Sequence, residues 1–438
     1  MRIFLGFLPI LLFVFIYVGS GIFFSVQEVA NAFYQISPTV AIIPAIILGW
    51  ILHRGSQQER MQSFLDGARH RDIMTMCIIF LLAGAFGGVT KAIGSVDATV
   101  NLALTLIPHQ LLLIGLFLIA AFISTSIGTS MGTIAAIAPI AAGIATQSEI
   151  PLALGMATIV GGAMFGDSLS VISDTTIAAV MSQEADMRKK LYLNAIVAVI
   201  AAVFTIVILF CVHEASAPVK QGSYALILIA PYILLMVLAV SGLNVFVVLI
   251  SALTAAGILG GWHHGYTLVS LSHDISHGFN SMYEIMLLSL MVGGLSGLAG
   301  SSAKELAVRL AEWSANAGGG QRMAQFLIGK IVSVFDILLA NNTVAIIFSG
   351  EMARHIAKRY RLPAHYSAAW LDVFSCVFQG IIPYGAQILL ASTIGGISPL
   401  SIVPHVYFCY ILGVVTIIFI MVHKPRQHKH LGERTDHS

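Results

Sequence analysis

The chain has 438 residues, of which 58% are hydrophobic and only 10% charged, and its mean hydropathy is +0.91. A soluble protein carries charge on about a quarter of its residues, so these residues form a membrane protein and hold no separate soluble domain. The formal charge of +2 comes from clustered Lys and Arg with no basic face, which argues against nucleic-acid binding.

Taken in order, Arg2 and the apolar run 3–24 resemble a signal peptide. The run is too long for one and lacks a small-x-small cleavage site, so it reads as a retained first helix. Further spans are predicted at 38–53, 72–94, 191–213, 223–240, 243–261, 284–300 and 400–423. Four stretches are too long or too interrupted for simple spans: 110–147, 150–182, 324–355 and 363–394. His263, His264, His273 and His277 fall in an outer loop, where their spacing favours a wet loop over a metal site. The segment 303–316 places Leu306, Leu310 and Trp313 on one side and reads as an interfacial arm. Cys77, Cys211, Cys376 and Cys409 lack metal-type spacing and read as small apolar residues. The tail from His423 is short and basic, with the composition of a disordered end. No phosphate-cradling loop is present, which argues against an ATP-driven pump.

The two halves overlay with a fixed shift of 212 residues. Pro151 then meets Pro363, Gly88 meets Gly300, Thr129-Ser130 meets Asn341-Asn342, and Asp167 meets Gln379. Charge placement gives an independent test, because cytoplasmic loops collect Lys and Arg. The loop before Asp72 carries Arg54, Arg60, Arg69 and Arg71, while its counterpart 262–283 carries none. Conversely 142–150 is bare, while 354–362 holds Arg354, Lys358, Arg359 and Arg361; Arg188, Lys189 and Lys190 answer a bare 395–402. Equivalent loops face opposite sides, the signature of an inverted repeat. With both termini in the cytoplasm, all basic residues but Lys91, Lys220 and Lys330 lie inside.

The expected fold is therefore an all-α polytopic membrane protein of two inverted repeats, each with a re-entrant hairpin and a broken transmembrane helix. Its parts are an N-terminal two-helix segment and cytoplasmic loop (1–71), a first transport repeat (72–213), connecting helices and an outer loop (214–283), a second inverted repeat (284–423) and a cytoplasmic tail (424–438).

Hairpin one turns at Gly128-Thr129-Ser130-Met131-Gly132 and hairpin two at Ala340-Asn341-Asn342-Thr343. Non-helical backbone at membrane depth survives only against protein or a watery cavity. Short polar side chains there suit convergence on a small cation, with close helix packing as the plainer explanation. Gly166 to Thr176 sets Asp167, Ser168, Ser170, Ser173 and Asp174 inside an apolar stretch. A membrane-embedded acid costs at least ~2.5–3.5 kcal/mol unless paired or hydrated, which favours ion or proton binding at Asp167. Asp174 has the alternative of capping a half-helix. The matching stretch Gln379 to Gln387 is broken by Pro383 and Gly385 and has no acid; Gln379 and Tyr384 are its candidate ligands. Asp336 and Asp372 are accessory candidates, with pairing to Lys330 or a hydroxyl as the structural alternative.

On Gly128-Thr129-Ser130-Met131-Gly132-Thr133, Phe165 to Ser170 and Ser173-Asp174-Thr175-Thr176, the chain resembles the NhaC-type Na+/H+ antiporter family, within the larger group of ion transporters. Family proteins commonly have an aromatic residue where this chain has Met131, and Lys and Pro where it has Ser168 and Val171. The shorter type also resembles proposed amino-acid permeases, histidine among their cargoes. The resemblance implies a dimer in the bacterial inner membrane, with hairpin tips meeting at midplane and an elevator-like motion. It implies no cofactor beyond Na+ or H+ as coupling ion, with Asp167 and Asp174 holding Na+.

The expected function is a cation-coupled secondary transporter, first of all a Na+/H+ antiporter in which H+ and Na+ compete for Asp167. A Na+- or H+-coupled permease for an amino acid or small organic acid is the alternative. A non-transporting intramembrane enzyme, with Asp167 and Asp174 as an aspartyl pair, is a remote third.

Overall fold

The computed structural model describes residues 2–27, 35–148, 150–212, 225–241, 243–264, 266–316, 320–423 and 425. Lys220 and nearly all of the tail lie outside them. The described residues are mostly helical, with no strand among them: α1 (Arg2–Val26), α2 (Ile43–Leu52), α3 (Gln57–Ala68), α4 (Arg71–Ala92), α5 (Ser95–Leu106), α6 (Leu112–Ile127), α7 (Ser130–Gln147), α8 (Leu152–Leu169), α9 (Asp174–Gln183) and α10 (Met187–Val212). The second half holds α11 (Ala230–Val240), α12 (Val245–His264), α13 (Leu268–Asn316), α14 (Gln321–Leu339), α15 (Asn342–Arg359), α16 (Ala364–Gln379), α17 (Ala386–Gly395) and α18 (Tyr407–Val422). Six stretches among them are long and apolar enough to cross a bilayer.

The four interrupted stretches break where their glycines and polar residues fall. α6 ends at Gly128 (φ 75°) and α7 restarts from the extended Thr129, whose hydroxyl accepts from the Gly132 amide. At the shift of 212, α14 ends at Ala340 (φ 51°), and α15 restarts from the extended Asn341, whose side chain accepts from the Val344 amide. The same cap is built twice. Both α8 and α16 start from a proline, Pro151 and Pro363. They end at Ser170 and Gly380, and α9 and α17 follow after short non-helical links.

The halves interlock. α7 packs on α17, which lies beyond the break of the other half, and α15 packs on α9 in the corresponding way. Within each half α6 lies along α8, and α14 along α16. α13 runs against α4 so closely that a Cβ on Gly84 would lie 2.3 Å from the Gly278 carbonyl oxygen, which only glycine permits.

Several expectations need correction. The outer loop at 262–283 is mostly helix, because α13 begins at Leu268, and it carries His273 and His277 on its exposed side. No metal-holding group exists among the described residues. The arm at 303–316 is the continuation of α13, a single helix of 49 residues. At 1.5 Å per residue it exceeds roughly 70 Å, over twice the hydrocarbon thickness. Two helices escaped the hydropathy reading. α3 is too polar to register as a span, and α5 mixes Asp97 and Asn101 into an apolar run. The last span starts at Tyr407 rather than 400, after a 102° bend between α17 and Pro399–His405.

Candidate functional site

Asp167, in the last turn of α8, is 4% exposed. Ser130, the first residue of α7, donates to its Oδ2 at 2.9 Å, and Ser173, in the link before α9, donates to Oδ1 at 2.5 Å. The Ser173 and Thr175 hydroxyls lie 2.9 Å apart. Gln387 in α17 donates to Ser130 Oγ at 3.2 Å. Gln379 at the end of α16 donates to Gln387 Oε1 at 2.9 Å and to the Ala340 carbonyl at 3.3 Å. One chain of hydrogen bonds thus runs from the acid through hairpin tip one and the second break to hairpin tip two. Gln379 Oε1 is buried without a hydrogen-bond partner.

Around this chain lies a pocket of about 60 Å³. Thr129, Ser130, Asp167, Asp174, Asn341, Asn342 and Gln379 line it, so the structure gathers these seven sequence candidates at one point. The electrostatics of the two tips is mixed. Each brings a helix C-terminus, negative in its partial charge, beside a helix N-terminus, positive in the same measure. The dipoles oppose one another, and carboxylates decide the local sign. Asp174 supplies the second one, from the first turn of α9. It is not the cap: Ser173 holds that position, with its hydroxyl turned to Asp167 instead.

Five candidates stand elsewhere. Ser168 donates back to the Phe165 carbonyl, and Ser170 accepts from the Ile172 amide, so both hydroxyls serve the backbone of the break. Tyr384 points away from the pocket and donates to the Ile337 carbonyl at 2.7 Å. Asp336 is fully buried with neither oxygen hydrogen-bonded, while Lys330 is exposed. The bridge to Lys330 is therefore absent.

Asp372 found a different partner. Lys190, which the charge pattern assigns to an inner loop, is buried, and its Nζ lies 2.5 Å from Asp372 Oδ2. It also donates to Thr176 Oγ1 at 2.7 Å. Asn194, one turn further along α10, donates to the same Asp372 oxygen at 2.8 Å and to the Ser168 carbonyl at 2.9 Å. These bonds close a ring around the first break: Asp167, Ser173, Thr175-Thr176, Lys190, Asp372, Asn194 and Ser168. Lys190 and Asn194 share a helix face with the buried Val197 and Ala201, and that spacing was the available signal. Ser173, Thr75 and Gln387 complete the site; Gln387 is eight residues and one break away from the end of α16, a distance that sequence does not close.

Comparison with known proteins follows the same residues. Residues 3–214, which include hairpin one, Asp167 and the ring's first-half members, match the profile of the Na+/H+ antiporter family. Over 400 residues the chain is 23% identical to the Na(+)/H(+) antiporter NhaC of Bacillus subtilis (strain 168), covering 83% of this chain and 87% of the relative. It is 22% identical over 382 residues to the Malate-2H(+)/Na(+)-lactate antiporter of the same organism, covering 78% and 80%. Among solved structures, the YdaH transporter of Alcanivorax borkumensis aligns with TM-score 0.43 and 13% identity, over 87% of this chain and 96% of that one. The family profile thus matches just under half of this chain, and the curated antiporters resemble it over most of its length.

Proposed function

We propose that the protein is a secondary transporter that exchanges Na+ for H+ across the membrane, both cations competing for Asp167. The observation that carries this reading is the placement of Asp167. A nearly buried acid, held by two hydroxyls, sits where both hairpin tips and both helix breaks meet. A proton or a Na+ ion neutralises the same carboxylate, and an acid at this depth is costly without one of them. Ser130, Ser173, the side chain of Asp174 and the free oxygen of Gln379 supply the hard oxygen donors that a small cation prefers.

Two features weigh against an amino acid or organic acid as cargo. Small-molecule sites occupy ~300–1,000 Å³, against about 60 Å³ here. A cargo carboxylate also needs a cation, and Lys190, the buried lysine beside the site, is engaged by Asp372 and Thr176. The repeated caps at a shift of 212 residues support the inverted-repeat reading, with both termini in the cytoplasm of a bacterial inner membrane. The resemblance to the family supports a homodimer. Proteoliposomes test the central claim: an imposed Na+ gradient drives opposite proton movement with the native chain, and Asp167→Asn abolishes it. Exchange retained in Asp167→Asn excludes the role.

A further inference from the structure

We propose that Glu284 guards the mouth through which a hydrated cation reaches Asp167, an inference that rests on cation exchange at that site. Three cavities follow one another. The first, of about 320 Å³, is lined by Tyr17, Pro38, Ser281, Glu284, Thr393 and Pro399 among others. The second, of about 20 Å³, shares Leu288 and Leu389 with the first and adds Tyr384. The third is the pocket of Asp167, which shares Met76, Ala340 and Asn341 with the second. A cavity needs ~10–15 Å³ to hold one water. The first therefore admits an ion with its hydration shell, and the neck admits about one water at a time.

The chemistry of the two ends matches that division. Glu284 is the acid among the residues lining the wide cavity, and the Ser37 hydroxyl donates to it. A carboxylate in a cleft with low-dielectric walls raises the local concentration of cations and lowers that of anions. The neck is lined mostly by apolar side chains, and the buried Leu288, Leu389 and Tyr384 all border it. The Tyr384 ring is fixed by its hydroxyl bond to the Ile337 carbonyl and by edge contact with Phe13 at 6.0 Å. This gives Tyr384 a role that it lacks in the pocket itself: it stands where the ion must shed water. The segments at the mouth, 37–38, 281–285 and 392–399, come from three separate parts of the chain. Lys and Arg are absent from them, and the charge pattern assigns all three to the outer side. Their meeting at one cavity sets the mouth on that side.

The test uses Thr393→Cys in the reconstituted full chain, with the exposed Cys211 replaced by Ser. Impermeant cationic and anionic thiosulfonates are applied from the outer face. The cationic reagent is expected to react about tenfold faster at low ionic strength, and the preference to shrink in high salt. Glu284→Gln removes the preference and Glu284→Asp keeps it. Glu284→Gln also raises the half-saturating Na+ several-fold from the outer face and not from the inner. Equal reaction of both reagents in the presence of Glu284, or labelling from the inner face alone, overturns the mouth. The two readings separate cleanly. A Glu284-dependent preference in a chain that moves no Na+ upholds the mouth and removes the exchange reading; active exchange without any preference does the reverse.

Discussion

Lys190 Nζ lies 2.5 Å from Asp372 Oδ2 with neither side chain exposed, so the two halves of the chain are joined by a buried charge pair next to the first helix break. Removing one partner leaves the other ion unpaired in a dry interior, at a cost of about 3–5 kcal/mol. Lys190→Met and Asp372→Asn are each expected to lower stability by that order. The double variant is expected to recover most of the loss, since the charges vanish together. Thermal unfolding in detergent, read as a double-mutant cycle, measures the coupling. Additive losses show that the pair contributes nothing as a pair.

The two serines on Asp167 are expected to act on affinity. A hydrogen bond to a charged group is worth about 1.5–3 kcal/mol, and Ser130→Ala and Ser173→Ala each remove one. Half-saturating Na+ is expected to rise by about tenfold or more in each, while Ser168→Ala, whose hydroxyl bonds its own helix, is expected to leave it close to native. Na+ titration of exchange in proteoliposomes checks all three. A Ser168→Ala effect as large as the others contradicts the assignment.

The equivalent caps at Gly128 and Ala340 predict opposite responses to substitution. Ala340 holds a left-handed backbone at φ 51°, a strain of about 1–2 kcal/mol. Glycine relieves it and returns about 0.4–1 kcal/mol through the freer unfolded chain, so Ala340→Gly is expected to stabilise by up to about 1 kcal/mol. Gly128→Ala is expected to destabilise, because φ is 75° and the added Cβ meets Ile172 Cγ1 at 2.5 Å. Paired melting curves decide the signs.

α3 carries a pH-dependent cap. The Ser56 backbone amide donates to Glu59 at 2.6 Å and the Ser56 hydroxyl accepts in return. Donation from the Ser56 backbone, and then from its side chain, holds the Glu59 carboxyl below its usual 4.5. A depressed carboxyl stabilises the fold above its unfolded value and loses that contribution as pH falls through the folded one. The first turn of α3 is therefore expected to fray as pH drops below 4.5. Hydrogen exchange of the 57–60 amides follows it, and Ser56→Ala is expected to show the frayed rates at neutral pH.

What was legible in the sequence and what was not follows from range. The breaks at 128–130, 170–173, 340–342 and 380–385 announced themselves because glycine, proline and polar residues interrupt apolar runs locally. Asp167 was legible for the same reason, as an acid with no local means of support. Its partners were legible only where they lie in those same motifs, as Ser130 does. Lys190 was misplaced because a lysine beside Arg188 and Lys189 reads as loop charge, and its partner lies 182 residues away. Ser168, Ser170 and Tyr384 were selected by residue type; their side chains satisfy nearby backbone, a choice that depends on rotamers rather than spacing.

The crossed packing of α7 on α17 and α15 on α9 constrains how the molecule can change shape. Each hairpin is seated on a half-helix of the opposite half, and Lys190 with Asp372 pins the halves together. Sliding one half past the other would tear both seats at once. Any part of the molecule that moves as a unit must therefore be assembled from pieces of both halves, with its boundary cutting across the middle of the chain instead of following it.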